Sequence, residues 1–304
     1  MNYNSLCEFI NSTFINQAEI IPNADMKRFT SFRIGGAADL AVFPKTKECL
    51  VAILDYVIKN KIKHIVIGNG SNVLFCDRGY NGVVIITTQM KNYTFNGDVL
   101  LCDAGAPLTQ IAVNAVRSGY KGYAFACGIP GSIGGAVFMN AGAYEGQVSD
   151  ILLYSEYYNT KTGQICRMEA SEHEFDYRHS SYMDSDKIIL SAAFKLEKAE
   201  DVNECVALME EHIKARKEKQ PLEYPSAGSV FKRYPGYFTA KLIDEAGLKG
   251  YCLGDAQVSE KHAGFIINRG NATADEVCEL IEIIKDAIYK RVGINIECEV
   301  RYID

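Results

Sequence analysis

The chain has 304 residues, 48% hydrophobic and 23% charged, with a formal net charge of −6. That length allows two or three domains and more than one apolar core, and the balance is that of an ordered globular protein. The acidic balance excludes broad binding to nucleic acid or an acidic membrane, which needs a basic face, but leaves room for an anionic small ligand, because backbone amides bind phosphate at no change in net charge.

In chain order, MNYNSLCEFINSTF lacks a basic start followed by an apolar run, so no signal peptide is expected. TKECLVAILDYVIKNKI (46–62) places Leu50, Ile53, Leu54 and Val57 on one helical face. HIVIG (64–68), GVVIITT (82–88) and VLLCDAG (99–105) read as strands. Pro107 opens and Gly119 closes a helix. ILLYSEYYNT (151–160) and KIILSAAFKLEK (187–198) are two more strands. A charged run at Glu197–Asp201 marks a boundary before a helix over 200–219 with Val202, Val206, Met209 and Ile213 as its apolar stripe. The last helix starts on a capping-box pattern, Thr273 and Glu276, and ends at Gly293. INIECEVRYI (294–303) is a final strand, expected to return to a sheet begun earlier. No apolar run approaches the ~20 residues of a membrane span. The ten cysteines are scattered without a C-x-x-C pair and lie mostly among apolar neighbours, as buried reduced thiols do. They indicate a reducing cytoplasm and no metal site.

Two glycine loops interrupt this order. IGNGSNVLF (67–75) follows a strand; Gly68 and Gly70 let peptide N–H groups approach an anion, and Asn69, Ser71 and Asn72 add hydrogen-bonding groups. A Rossmann fingerprint fails at Val73 and no Walker lysine follows, so an ordinary turn reads equally well. GIPGSIGGAVFMNAGAYEG (128–146) fixes one turn with Pro130 and strips side chains at Gly131, Gly134 and Gly135. A diphosphate or flat ring packed there accounts for it, as does a tight helix–sheet contact. A third stretch, KQPLEYPSAGSVFKRYPG (219–236), sets Ser226-Ala227-Gly228-Ser229 between prolines and follows it with Lys232 and Arg233. It is either a plain surface loop or one that holds a hydroxyl against a reacting ligand.

Read together, TSFRIGGAADL (30–40), IGNGSNVLF, GIPGSIGGAVFMNAGAY, YRHSSY (177–182), PSAGSVFKR (225–233), LIDEAGLKG (242–250), VSEKHAGFIIN (258–268) and IECEVRYI resemble the UDP-N-acetylenolpyruvoylglucosamine reductase family, in that family's order and from about residue 27 onward. The resemblance implies an α+β fold: a two-lobed FAD-binding domain of the vanillyl-alcohol-oxidase (PCMH) type plus a C-terminal α+β substrate-binding domain. It divides the chain into lobe 1 (1–85, with the strand 294–304 returning to the active site), lobe 2 (86–198) and the substrate domain (199–293). The passage from YRHSSY straight into KIIL implies the shorter family form, without a substrate-covering insert. Ala37 stands where proline is common and Glu145 where glycine is common, which puts the local loop shape at Glu145 in question.

The implied reaction is NADPH-dependent reduction of an enolpyruvyl ether on a nucleotide sugar through FAD, in peptidoglycan precursor synthesis, with no nucleic-acid or membrane partner; a monomer is compatible with it. The implied flavin contacts are Gly68, Asn69, Gly70, Ser71 and Asn72, then Gly128, Pro130, Gly131, Ser132, Gly134, Gly135, Asn140, Ala141 and Gly142. Arg178 is implied to face the substrate carboxylate, where a guanidinium suits planar bidentate recognition; read alone, a surface ion pair with Asp176 or Asp184 is the preferred reading. Ser229 is implied to protonate the α-carbon, with Ser226 as its local rival and a helix cap as the plainer reading of either. Glu299 is implied to donate a hydrogen bond as a neutral acid, which burial would permit; spacing does not separate it from Glu297. Lys219, Lys232 and Arg233 are implied substrate contacts, and otherwise solvated charges. His262 reads as a hydrogen-bonded structural histidine. Another FAD-dependent oxidase on the same lobes, or a nucleotide-binding protein without catalysis, would also explain the glycine loops.

Overall fold

A computed structural model of the chain describes residues 3–304; Met1 and Asn2, which open the first expected lobe, lie outside the described residues. The chain forms two compact units built from interleaved segments. The first comprises the residues up to Pro22, Leu40–Asn69 and Gly82–Lys214; the second comprises Asn23–Asp39, Gly70–Asn81 and Ala215–Asp304.

In the first unit, the helix Lys47–Lys59 begins where Thr46 Oγ1 accepts the N–H of Cys49 at 3.2 Å. It buries Leu50, Ile53, Leu54 and Val57 in one core with Val83 and Ile85. Full burial of such side chains contributes about 1.5–3 kcal/mol each, which outweighs the marginal stability of a helix of this length alone. Val83–Ile86 is a continuous buried run because its strand, Tyr80–Ile86, pairs in parallel with His64–Ile67 inside a four-stranded sheet. A second, antiparallel sheet has the order Gln164–Glu169, Leu152–Asn159, Lys187–Lys195, Val99–Asp103, Tyr93–Asn96. The helix Leu108–Arg117 adds Ile111, Ala112, Ala115 and Val116 to its core, and Pro107 stands at the cap rather than inside the first turn.

A buried polar chain crosses this sheet. His173 Nδ1 lies 2.8 Å from the carbonyl oxygen of Glu169, Nε2 lies 2.7 Å from Ser155 Oγ, and Ser155 Oγ lies 2.6 Å from the Tyr182 hydroxyl. A carbonyl accepts only, so Nδ1 donates; Nε2 then accepts from Ser155, which accepts from Tyr182. The pattern needs a neutral imidazole, and burial holds the His173 pKa below the ordinary 6.5. Burial does the same to His262 in the second unit, whose Nδ1 accepts the N–H of Gly264 at 3.1 Å, the structural role its sequence context suggests. Because both folded values are depressed, the unfolded chain takes up protons first as pH falls. Stability is complete above 6.5 and is lost below it, by at most about 1.4 kcal/mol per pH unit for each histidine. The urea midpoint is therefore expected to fall between about pH 7.5 and about pH 5.5; an unchanged midpoint would contradict the neutral assignment.

In the second unit, the helix Ala274–Val292 starts on the expected capping box between Thr273 and Glu276 and ends at Gly293, whose φ is 70°. Asp77 adds a second cap: its two carboxylate oxygens accept the N–H groups of Ala274 and Asp275 at 2.9 and 3.0 Å. The helix buries Val277, Leu280, Ile281, Ile284 and Ile288 in a core shared with Phe32, Ile34, Val230, Phe231 and Ile266. The sheet here is antiparallel, in the order Ser226–Ser229, Phe265–Asn268, Ala256–Val258, Cys252–Leu253.

Two expected elements change shape. The final strand is only Arg301–Ile303, paired in parallel with Val73–Phe75. The preceding residues meet a different neighbour, since Lys232 N–H donates to Glu297 O and Glu299 N–H donates to Val230 O. The helix Val202–Lys219 buries only Met209 of its expected stripe, with Val206 and Ile213 partly covered and Val202 39% exposed. All ten cysteines are free thiols. Burial pushes Cys49 up to about 11 and Cys127 up to about 12, so these two are inert packing groups. Among the described residues, no helix is long and apolar enough to cross a membrane and no group of side chains could hold a metal ion.

Candidate active site

The first unit sets Gly68, at the head of the first glycine loop, against the second loop. A Cβ on Gly68 would fall 2.0 Å from Ser132 Oγ, so only glycine fits against the second loop there. Ser132, 2% exposed, precedes the short helix Ile133–Phe138, and its Oγ accepts from Gly135 N–H at 3.4 Å. Three backbone bonds hold this loop: Leu108 N–H to Gly131 O at 3.0 Å, Ile133 N–H to Ala106 O at 2.9 Å and Gly134 N–H to Ala104 O at 2.7 Å. A Cβ on Gly134 would approach that of Ala104 to 3.1 Å, so a tight helix–sheet contact does account for this glycine. Yet among the described residues no protein acceptor takes the backbone N–H of Asn69, Gly70 or Ser71 in the first loop, or of Gly131 or Ser132 in the second. Such amides are the donors that a diphosphate takes. The residues therefore fit a dinucleotide cofactor.

The turn that carries Arg178 is fastened to the second loop at three points. Ser180 Oγ donates to Phe138 O at 2.7 Å, Asn140 Nδ2 to Asp176 O at 3.1 Å, and Arg178 Nη2 to Gly142 O at 2.7 Å. Arg178 itself has φ 54°, a conformation uncommon outside glycine. It sits in the tight turn closed by the Asp176–His179 bridge, with the guanidinium 4.9 Å from the centre of the Tyr177 ring. Asn140, 1% exposed, also donates to Gln147 Oε1 and accepts from Ser149 N–H, so its amide is engaged within the protein. Glu145 does not need glycine's freedom: the left-handed residue of that turn is Tyr144, at φ 55°.

The second unit explains the small-residue run. Ser226 pairs with Ile267 and Ser229 with Phe265, so the strand carries one extra residue between them. This is a bulge, and Gly228 takes its left-handed position at φ 79°. No atom lies within 4 Å of where a Gly228 Cβ would sit, so the requirement is conformational, not steric. Since the partners are two residues apart, the bulge turns both serines toward one face. Neither caps a helix. Ser229 Oγ donates to Phe231 O at 3.1 Å and is half-buried.

The segment after Ile296 lies against this strand, with Phe231 and Cys298 forming an antiparallel bridge. Structure separates the two glutamates that spacing left equivalent. Glu297 is exposed and pairs with Lys232 at 3.1 Å. Glu299 is half-buried, and its backbone is held at both ends: its N–H reaches Val230 O at 2.7 Å, and its carbonyl accepts from Asn72 Nδ2 at 3.1 Å. Lys219 ends its helix exposed to solvent, and Arg233 lies over the Phe238 ring at 5.6 Å. Ser31 also enters this neighbourhood, donating its hydroxyl to Ser226 O at 2.7 Å; only its hydroxyl within TSFRIGG hinted at it.

Comparison with known proteins gives one consistent result. Residues 220–303 match the model for the C-terminal domain of UDP-N-acetylenolpyruvoylglucosamine reductase, and residues 38–169 match that of an FAD binding domain. The UDP-N-acetylenolpyruvoylglucosamine reductase of Pediococcus pentosaceus is 44% identical over 287 residues, covering 94% of this chain and 95% of its own. That of Clostridium botulinum (strain Eklund 17B / Type B) is 42% identical over 303 residues, covering 100% and 99%. The crystal structure of UDP-N-acetylenolpyruvylglucosamine reductase from Thermus caldophilus matches with a TM-score of 0.80 at 32% identity, covering 94% of this chain and 99% of that one.

Proposed function

We infer the roles of individual residues from one premise: the chain belongs to the UDP-N-acetylenolpyruvoylglucosamine reductase family. It is an FAD-dependent oxidoreductase that reduces UDP-N-acetylenolpyruvoylglucosamine with NADPH as electron source, in peptidoglycan precursor synthesis. Its fold is α+β, a two-lobed FAD-binding domain of the vanillyl-alcohol-oxidase type followed by a C-terminal α+β domain. FAD, when bound, supplies the hydride transfer that no side chain can perform. The amides of Asn69–Ser71 and Gly131–Ser132, which no protein acceptor takes, would hold its diphosphate.

Addition of hydride to the terminal alkene carbon leaves an enolate-like α-carbon beside the carboxylate. The Arg178 guanidinium binds that carboxylate and offsets the charge that grows on it. The Ser229 hydroxyl, freed from Phe231 O, gives its proton to the α-carbon. A hydroxyl is a weak acid, but the carbon is a strong base, and fixed placement can be worth ~7–11 kcal/mol. Glu299, protonated, donates a hydrogen bond to the same enolate; Glu297 stays outside as the partner of Lys232. The observation that carries the pairing of alcohol and acid is the antiparallel register of Val230–Lys232 with Glu297–Glu299.

Lys219, Lys232 and Arg233 meet the anionic groups of the nucleotide sugar. The Lys232–Glu297 pair is largely exposed and contributes about 0–1 kcal/mol, so Lys232 can leave it for a phosphate. Functionally the chain divides into flavin lobes at 1–85, with 294–304, and 86–198, and a substrate-binding domain at 199–293. Its free thiols suit the cytoplasm. The test is the visible spectrum of the purified protein. It is expected to show a flavin that NADPH bleaches under anaerobic conditions and that the enolpyruvyl substrate restores. A flavin restored by oxygen alone, with no response to that substrate, would refute the assignment.

A further inference from the structure

The strand that carries Ser229 lies at the edge of its sheet, with Phe265–Asn268 as its one strand neighbour. A left-handed glycine interrupts it just before Ser229. Glu299 lies outside any regular strand. Neither backbone is fixed by sheet pairing alone, so other bonds must set where the two side chains point.

Both sets of bonds lead to the tail of the first glycine loop. Ser31 N–H donates to Gly70 O at 3.1 Å, while the Ser31 hydroxyl donates to Ser226 O at 2.7 Å, at the start of the bulged strand. Two residues along the loop, Asn72 Nδ2 donates to Glu299 O at 3.1 Å, and Asn72 O accepts the N–H of Arg301 at 3.0 Å. The Ser31 segment is itself pinned by Asn268, 2% exposed, whose Nδ2 donates to Phe32 O at 3.2 Å and Arg33 O at 3.3 Å. A Cβ on Gly70 would fall 2.2 Å from Phe29 O, so the loop can lie this close only without a side chain there.

We propose that Ser31 and Asn72 are positioning residues: they tie the backbones bearing Ser229 and Glu299 to residues Gly70–Asn72 and thereby set the reach of the alcohol and the acid. The inference rests on the roles given to Ser229 and Glu299 above. It matters because a misplacement of about 1 Å at a reacting group can cost about 100-fold in rate.

The test uses the holoenzyme and follows the flavin in two half-reactions, bleaching by NADPH and reoxidation by the enolpyruvyl substrate. Ser31→Ala is expected to retain its flavin, to bleach within about twofold of the wild-type rate, and to reoxidise about 10–100-fold more slowly. Ser31→Thr keeps the hydroxyl and is expected to restore most of that loss. Added to Ser229→Ala, Ser31→Ala should slow reoxidation no further, and Asn72→Ala alone should slow reoxidation by the substrate more than it slows bleaching by NADPH. Lost flavin or slowed bleaching in Ser31→Ala would overturn the proposal in favour of a cofactor or folding role. So would wild-type reoxidation of Ser31→Ala when Ser229→Ala is slow, and this outcome leaves the role of Ser229 standing. Rapid reoxidation of Ser229→Ala itself would remove that role and the proposal with it.

Discussion

Ser229→Ala is expected to leave bleaching of the flavin by NADPH at its wild-type rate and to slow reoxidation by the enolpyruvyl substrate by about 100–10,000-fold, the usual range for loss of a positioned proton donor. The two half-reactions separate because NADPH oxidation requires no proton at the α-carbon. Folding should be almost untouched: the Ser229 hydroxyl makes one local bond, to Phe231 O, and its strand is held by Ile267, Phe265 and Ser31 through other atoms. Ser226→Ala serves as the control. Ser226 faces the same side but lies at the foot of the bulge, so its loss should be mild. If both half-reactions of Ser229→Ala run normally, the proton comes from elsewhere.

Arg178→Ala is expected to lower substrate turnover by about 100–1,000-fold, as when one stabilising donor is removed from a developing oxyanion, while the protein stays yellow. The flavin is retained because two of the three fastenings between this turn and the second glycine loop, Ser180 to Phe138 and Asn140 to Asp176, do not involve Arg178. Arg178→Lys keeps a charge but not the planar fork, so it should recover only part of the loss. Steady-state turnover beside flavin content measures both. A colourless Arg178→Ala protein would mean that the guanidinium supports the cofactor loop, through Gly142, rather than the substrate.

The sequence disclosed most where structure is local. Thr46 and the four apolar residues after it specify the helix Lys47–Lys59 without help from distant chain, and Thr273, Glu276 and Gly293 do the same for Ala274–Val292. It disclosed least where two distant segments define each other. Ser226–Ser229 is too small and polar to announce a strand, and becomes one only against Phe265–Asn268. The run 294–303 alternates like a single strand, but it serves two partners in turn and is regular only at its end. Family resemblance chose Glu299 over Glu297; the physical difference between them, a solvent-facing pair with Lys232 against a backbone held by Val230 and Asn72, requires coordinates. Ser31 was illegible for the same reason: its hydroxyl acquires meaning from a carbonyl 195 residues away.

The interleaved second unit bears on biosynthesis. Phe32, Ile34 and Leu74, each at most 1% exposed in the finished fold, belong to a core completed by residues beyond Ala227. During translation these three side chains emerge long before their cover does, and bonds such as Asn72 to Glu299 span 227 positions. Closing so long a span adds only about 0.6 kcal/mol per doubling of length, so the finished protein is little penalised, but the nascent chain is slow to get there. Meanwhile it displays greasy surface to every neighbour, which makes this unit a natural client for chaperones and the first place where hurried expression should yield aggregates.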